Sequence, residues 1–179
     1  VMQQEVSMKE VKKKVMVAID ESDGSFYALK WAIDHLGCIL RDSNEASPEA
    51  GILYLIHVQQ PFHQFAFVAG PGAGAAGIYA PSSLVESVRK AQEENTAVLL
   101  SRALQLCKEN MGNPLIKAEG IIQHGDPKDM ICQAAEEMHI DLLVVGSRGL
   151  GKLKRAFLGS VSDHCAHHAK CPILIVKPP

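Results

Sequence analysis

The chain has 179 residues, 47% hydrophobic and 21% charged, with a formal net charge of -2. That is the make-up of an ordinary globule, long enough to bury a sizeable core as one domain. Basic and acidic residues are interspersed, so there is no electrostatic case for nucleic acid as a partner, and no apolar run approaches the roughly 20 residues of a membrane span.

Val1 to Lys14 is polar and charged and lacks the apolar run of a signal peptide. It reads as a flexible arm over residues 1–13, followed by a single domain over 14–179. Val15 to Ile19 is a short apolar run rich in β-branched residues, the pattern of a central strand. Asp20-Glu21-Ser22-Asp23 then offers helix-capping side chains. Phe26, Leu29, Ile33 and Leu36 recur at three- and four-residue steps, predicting a helix that Gly37 can close. Residues 41–50 are polar and read as an exposed loop. Ile52 to Val58 is a second buried strand.

Residues 60–81 form a Gly-rich insertion carrying Phe62, Phe65 and Phe67, too long for an ordinary connection and poorly suited to a regular element. The plain reading is a mobile insertion; the sharper one is a lid or a partner arm. Ser82 to Asn110 predicts a long helix whose apolar face is marked by Leu84, Val88, Ala91, Val98, Leu99 and Leu106. Leu115 to Ile122 is a third strand. Gly125-Asp126-Pro127 combines a turn with a helix start, Asp126 as cap and Pro127 at the first helical position, and the helix runs to about Met138. Ile140 to Val145 is a fourth strand, residues 160–170 a last helix broken by Cys171-Pro172, and Ile173 to Val176 a fifth strand.

Strands alternating with helices, with the strands apolar throughout, predict an α/β fold: a parallel, doubly wound, Rossmann-like sheet with helices on both faces. Such a sheet binds its ligand at the carboxyl ends of the strands where strand order reverses. One stretch stands there. Gly146-Ser147-Arg148-Gly149-Leu150-Gly151-Lys152 follows the fourth strand, and Gly159-Ser160-Val161-Ser162 opens the last helix. Small residues between strand and helix let main-chain N–H groups approach an anion, and the helix N-terminus adds partial positive charge, which together make a phosphate cradle. Gly146 to Lys152 matches G-x-x-x-x-G-K, but Leu153 stands where a P-loop needs a hydroxyl for magnesium, and Lys154 stands where a dinucleotide fingerprint needs its third glycine. The pattern is G-x-x-G, nine residues, then G-S.

That pattern resembles the nucleotide signature of the universal stress protein family, in its ATP- and AMP-binding branch and closest to plant members. Val15 to Asp20, Leu55-Ile56-His57-Val58, Gly125-Asp126-Pro127 and Pro172 to Val176 fall where that family's strands and turns lie, so the resemblance covers most of the chain. It implies five strands in the order 3-2-1-4-5, the adenine nucleotide alpha hydrolase-like arrangement, which sets Asp20 and Gly146 across one crevice. It implies nucleotide binding by Ala18, Ile19, Asp20, Val58, Gly146, Ser147, Arg148, Gly149, Gly159, Ser160, Val161 and Ser162. Val58 would pack on adenine, Gly146 to Gly149 would wrap the ribose and phosphates, and Gly159 to Ser162 would meet the phosphates. Asp20 can accept hydrogen bonds from ribose or adenine, help hold a nucleotide-bound magnesium ion, and cap the helix that follows. The resemblance also implies a homodimer joined along Pro172 to Val176, an apolar edge that invites pairing with a twin.

The expected function is that of an adenine-nucleotide-binding stress-response regulator, with ATP or AMP as ligand, bound with or without magnesium, and no membrane or nucleic-acid partner. A slow ATP hydrolase and a stress-protective chaperone are the alternatives. No Glu or His is nominated by spacing as a water activator, so no catalytic residue is assigned. Asp20-Glu21-Ser22-Asp23-Gly24-Ser25 lacks the double glycine of an ATP pyrophosphatase loop. Arg148 is the foremost cation candidate beside Lys152, Lys154 and Arg155. His57 is expected to bond locally. His164 and His168 share a helix face at i, i+4, but a third metal ligand on that face is missing, so no protein-only metal site is expected. Cys38, Cys107, Cys132, Cys165 and Cys171 are odd in number and scattered, which suits reduced thiols in the cytoplasm or nucleus. Cys165 and Cys171 are candidates for oxidant response, with buried inert thiols as the default.

Overall fold

The computed structural model describes residues 13–39, 51–61, 65–66, 78–79, 81–148 and 158–179. Its centre is a five-stranded, all-parallel sheet of β1 (Lys13–Ala18), β2 (Gly51–Gln59), β5 (Ile116–His124), β6 (Leu142–Gly146) and β7 (Ile173–Val176), in the order β5-β2-β1-β6-β7. Counting these five alone, that is the predicted 3-2-1-4-5. The order reverses at β1, whose neighbours are β2 and β6. A separate two-residue antiparallel pair, β3 (Phe65–Ala66) and β4 (Ile78–Tyr79), lies inside the stretch predicted to hold no regular element.

The strands β1, β2 and β6 read as apolar runs because both faces are covered; β5, at the edge of the sheet, carries Lys117 and Glu119 and buries only Ile116, so it is not apolar throughout as expected. Successive β1 residues enter opposite cores: Val15 and Val17 join one cluster and Met16 the other, all three essentially buried. The first cluster is closed by α1 (Asp23–Ile39) and α2 (Ser82–Asn110), through Leu29, Ile33, Leu99 and Ala103. The second is closed by α3 (Pro127–Glu137) and α4 (Ser160–His168), through Ile131, Ala134, Ala135 and Cys165.

Four local expectations change. Helix α1 runs on through Gly37 to Ile39. Its start is capped by Ser22, whose Oγ accepts from Ser25 N–H at 3.2 Å, while Asp20 Oδ1 accepts from Ser22 N–H at 3.0 Å. Asp20 therefore holds the cap residue and does not itself cap the helix. On α2 the buried stripe is Thr96, Leu99, Leu100, Ala103 and Cys107, whereas Leu84 is 50% and Val98 69% exposed. The first half of α2 supplies no buried residue, so apolar side chains there set a false phase for the pattern. Residue 140 precedes β6, which begins at Leu142, because His139 takes a left-handed turn at φ 52° and ends α3 sharply. The start of α3 is as expected: Pro127 opens it and the Asp126 carboxylate accepts from Lys128 N–H at 3.0 Å.

Candidate functional site

At the carboxyl ends of β1, β2 and β6, on the reversal, lies a cavity of about 480 Å³. That is within the range of small-ligand pockets. Its floor is Ala18, Ile19, Val58 and Val145 at the strand ends, with Ile131 of α3 alongside. Its polar rim comes from the turn after β1 (Asp20, Glu21, Ser25), from Gly146 and Arg148 after β6, and from Gly159, Ser160, Val161 and Ser162 at the start of α4.

Two glycines bring the β1 turn onto the β6 turn. A Cβ on Gly24 would sit 2.6 Å from the Arg148 carbonyl oxygen, and one on Gly146 would sit 2.8 Å from the Gly24 carbonyl oxygen. The backbones meet where any side chain would hold them apart. This closeness seats Asp20 and Arg148 on one cavity. The Asp20 turn is laced by hydrogen bonds: Ser25 Oγ donates to the Asp20 carbonyl at 2.8 Å, and the Ser22 hydroxyl donates to Asp20 Oδ1.

The other side is fixed through Ser147. Its N–H donates to the Val176 carbonyl at 2.8 Å, and its carbonyl accepts from Gly159 N–H at 2.8 Å and from Ser162 Oγ at 3.1 Å. Ser147, 5% exposed, thus ties β6, β7 and the head of α4 together and is not among the cavity-lining residues. The helical ladder of α4 starts with Asp163 N–H donating to Gly159 at 2.9 Å. The N–H groups of Ser160, Val161 and Ser162 stand outside that ladder and at the positive end of the helix dipole, on the cavity wall. That is donor chemistry for an anion.

Of the residues named from sequence, Ala18, Ile19, Asp20, Val58, Gly146, Arg148, Gly159, Ser160, Val161 and Ser162 line the one cavity. Gly149, with Lys152, Lys154 and Arg155, lies outside the described residues. His57 also lines it, its Nδ1 2.9 Å from the carbonyl of Ile19, just past the end of β1, which is the local bonding expected of it. Sequence reasoning missed Gln59, Gln60, Gln92, Asn95 and Thr96, which form a polar wing between β2 and α2. No local motif marks them; only the run of α2 past the strand ends brings them there. Gly24 was legible as a residue but not as a contact.

Among the described residues, no group of three or more His, Cys, Asp or Glu could hold a metal ion. His164 and His168 stack at 4.0 Å, and His164 Nε2 lies 3.5 Å from Asp129 Oδ1. No described helix is long and apolar enough to cross a membrane.

The model of the universal stress protein family matches residues 12–177. The chain is 32% identical over 164 residues to universal stress protein YxiE of Bacillus subtilis, covering 92% of this chain and 98% of that one. It is 39% identical over 100 residues to universal stress protein A-like protein of Arabidopsis thaliana, which is 56% of this chain and 55% of that protein. It spans 66% and 63% of two further Arabidopsis relatives. Among solved structures, UspA from Lactobacillus plantarum superposes with a TM-score of 0.66 at 19% identity, over 93% of this chain and 99% of that one, which shows the shared fold. A universal stress protein family protein from Arabidopsis thaliana, solved with AMP bound, matches with a TM-score of 0.58 at 28% identity, over 93% and 92%. With the family model running from the first described strand past the last, and a bacterial relative matched along nearly its full length, the chain belongs to the universal stress protein family.

Proposed function

We propose that the chain is a stress-response regulatory protein that binds ATP or AMP in the cavity at the sheet reversal. The observation that carries this reading is the convergence of the α4 N–H groups, the Gly146 turn and the Asp20 carboxylate on one cavity whose floor is apolar. The 28%-identical relative with AMP bound supports adenylate as the ligand class. Adenine lies against Val58 and Ile131, whose flat apolar wall suits a base. The ribose hydroxyls donate to Asp20, held in place by Ser22. The phosphates take the N–H groups of Ser160, Val161 and Ser162, with Arg148 beside them. Asp20 is the residue that would share a magnesium ion with the phosphates.

Calorimetric titration with ATP, AMP and GTP tests the reading: the adenine nucleotides bind saturably and more tightly than GTP. Asp20→Ala weakens ATP by about 1.5–3 kcal/mol, the worth of hydrogen bonds to a charged group. Equal affinity of Asp20→Ala and parent removes Asp20 from the site. The chain also pairs with a twin along β7, whose outer edge no described strand covers; light scattering is expected to give twice the 19.4 kDa chain mass.

A further inference from the structure

Outside the cavity, the most chemically loaded contact joins α3 to α4. The Sγ atoms of Cys132 and Cys165 are 3.7 Å apart, although the residues are 33 apart in sequence. Cys165 is completely buried, and Cys132 is partly exposed. We propose that Cys132 and Cys165 form an oxidisable dithiol, which a peroxide converts to a disulfide stapling α3 to α4 and thereby loosening the hold of the cavity on its ligand. The second half of this inference rests on the adenylate reading above; the first does not.

Exposure sets the order of events. A peroxide meets Cys132 first. Its thiolate attacks the O–O bond, forming a sulfenic acid and releasing hydroxide, which takes up the proton the thiol gave. The Cys165 sulfur then attacks the Cys132 sulfur, the S–OH bond breaks, and the Cys165 proton leaves with that hydroxide as water. Two thiols lose two electrons, and one peroxide becomes two waters. Burial raises the pKa of both thiols, that of Cys165 to about 12, so the reaction is slow at neutral pH and accelerates as pH rises. Proximity, not acidity, selects the partner.

Closing the bond takes the sulfurs from contact to about 2.05 Å. Ile131 directly precedes Cys132, and Val161 lies one helical turn before Cys165. Both line the cavity. Drawing the two helices together therefore moves two of its walls.

The test uses the full chain, reduced and then treated with hydrogen peroxide. Alkylation and peptide mass spectrometry without reductant are expected to show two thiols lost and one cross-linked peptide pair, carrying Cys132 and Cys165 and released by dithiothreitol. Cys132→Ser and Cys165→Ala abolish the pair, and Cys171→Ser keeps it, with far-UV circular dichroism confirming that each variant folds. ATP affinity falls about fivefold on oxidation of the parent, the low end of ordinary coupling between sites, and is unchanged by peroxide in Cys132→Ser. A pair involving Cys171 in place of Cys165, or both thiols still alkylatable, overturns the dithiol. A cross-link that forms with ATP affinity unchanged overturns the coupling. Failure of even the reduced chain to bind ATP strikes the adenylate reading and leaves the cross-link result standing.

Discussion

At the scale of single residues, the site depends on what is missing as much as on what is present. Gly24 and Gly146 let two turns touch main chain to main chain. Gly24→Ala and Gly146→Ala each force the turns apart and are expected to cost about 1–3 kcal/mol, the usual price of overpacking, measured as a lower urea midpoint. Gly112, which has open space around its Cβ position, serves as the control. Buried thiols make a second test. Burial pushes Cys165 up to about 12 and Cys107 up to about 11, against about 8.5 for a thiol in the unfolded chain. The folded chain keeps these protons where the unfolded chain has lost them. Their contribution is fully present below about pH 8.5 and is lost as pH rises toward the folded values. The urea midpoint should fall above that pH under reducing conditions, and more shallowly in Cys165→Ala; parallel profiles would contradict the assignment.

At the scale of elements, β1, β2 and β6 were legible because each is an apolar run bounded by charges or turns, and burial on both faces leaves that signal unbroken. The head of α3 was legible because Asp126 and Pro127 carry their instructions locally. Helix α2 was not. Its phase was read from Leu84 and Val88, while the stripe that packs is set by where the sheet lies beneath residues 96–107. Val98→Lys should leave stability within about 0.5 kcal/mol, whereas Leu99→Ala should cost about 2–5 kcal/mol. Thermal melts of the two neighbours decide between the faces. The same physics explains the site: Asp20, the Gly146 turn and the α4 start follow from chemistry next to strands, but the wing of Gln92, Asn95 and Thr96 depends on tertiary placement alone. The Ser147 backbone has a structural task that its motif position does not announce: its N–H and carbonyl tie β6 to β7 and α4.

For the whole molecule, strand order is the decisive fact. Reversal at β1 opens a gap between the helices of opposite faces, and the cavity occupies it. Since that gap is bounded by α3, α4 and the turns after β1 and β6, a ligand there binds only the folded chain. ATP at about 100 times its Kd should therefore add about 2.7 kcal/mol to unfolding stability, seen as a rise in melting temperature that GTP at the same concentration does not match.

The most direct measurement is an amide nitrogen–proton NMR titration of the labelled chain with ATP. The account predicts saturable shifts in the N–H signals of Ser160, Val161 and Ser162, together with those of Asp20 and Val58, at one common affinity. Saturable binding that leaves the three α4 amides unmoved would show that the anion is held elsewhere and would contradict it.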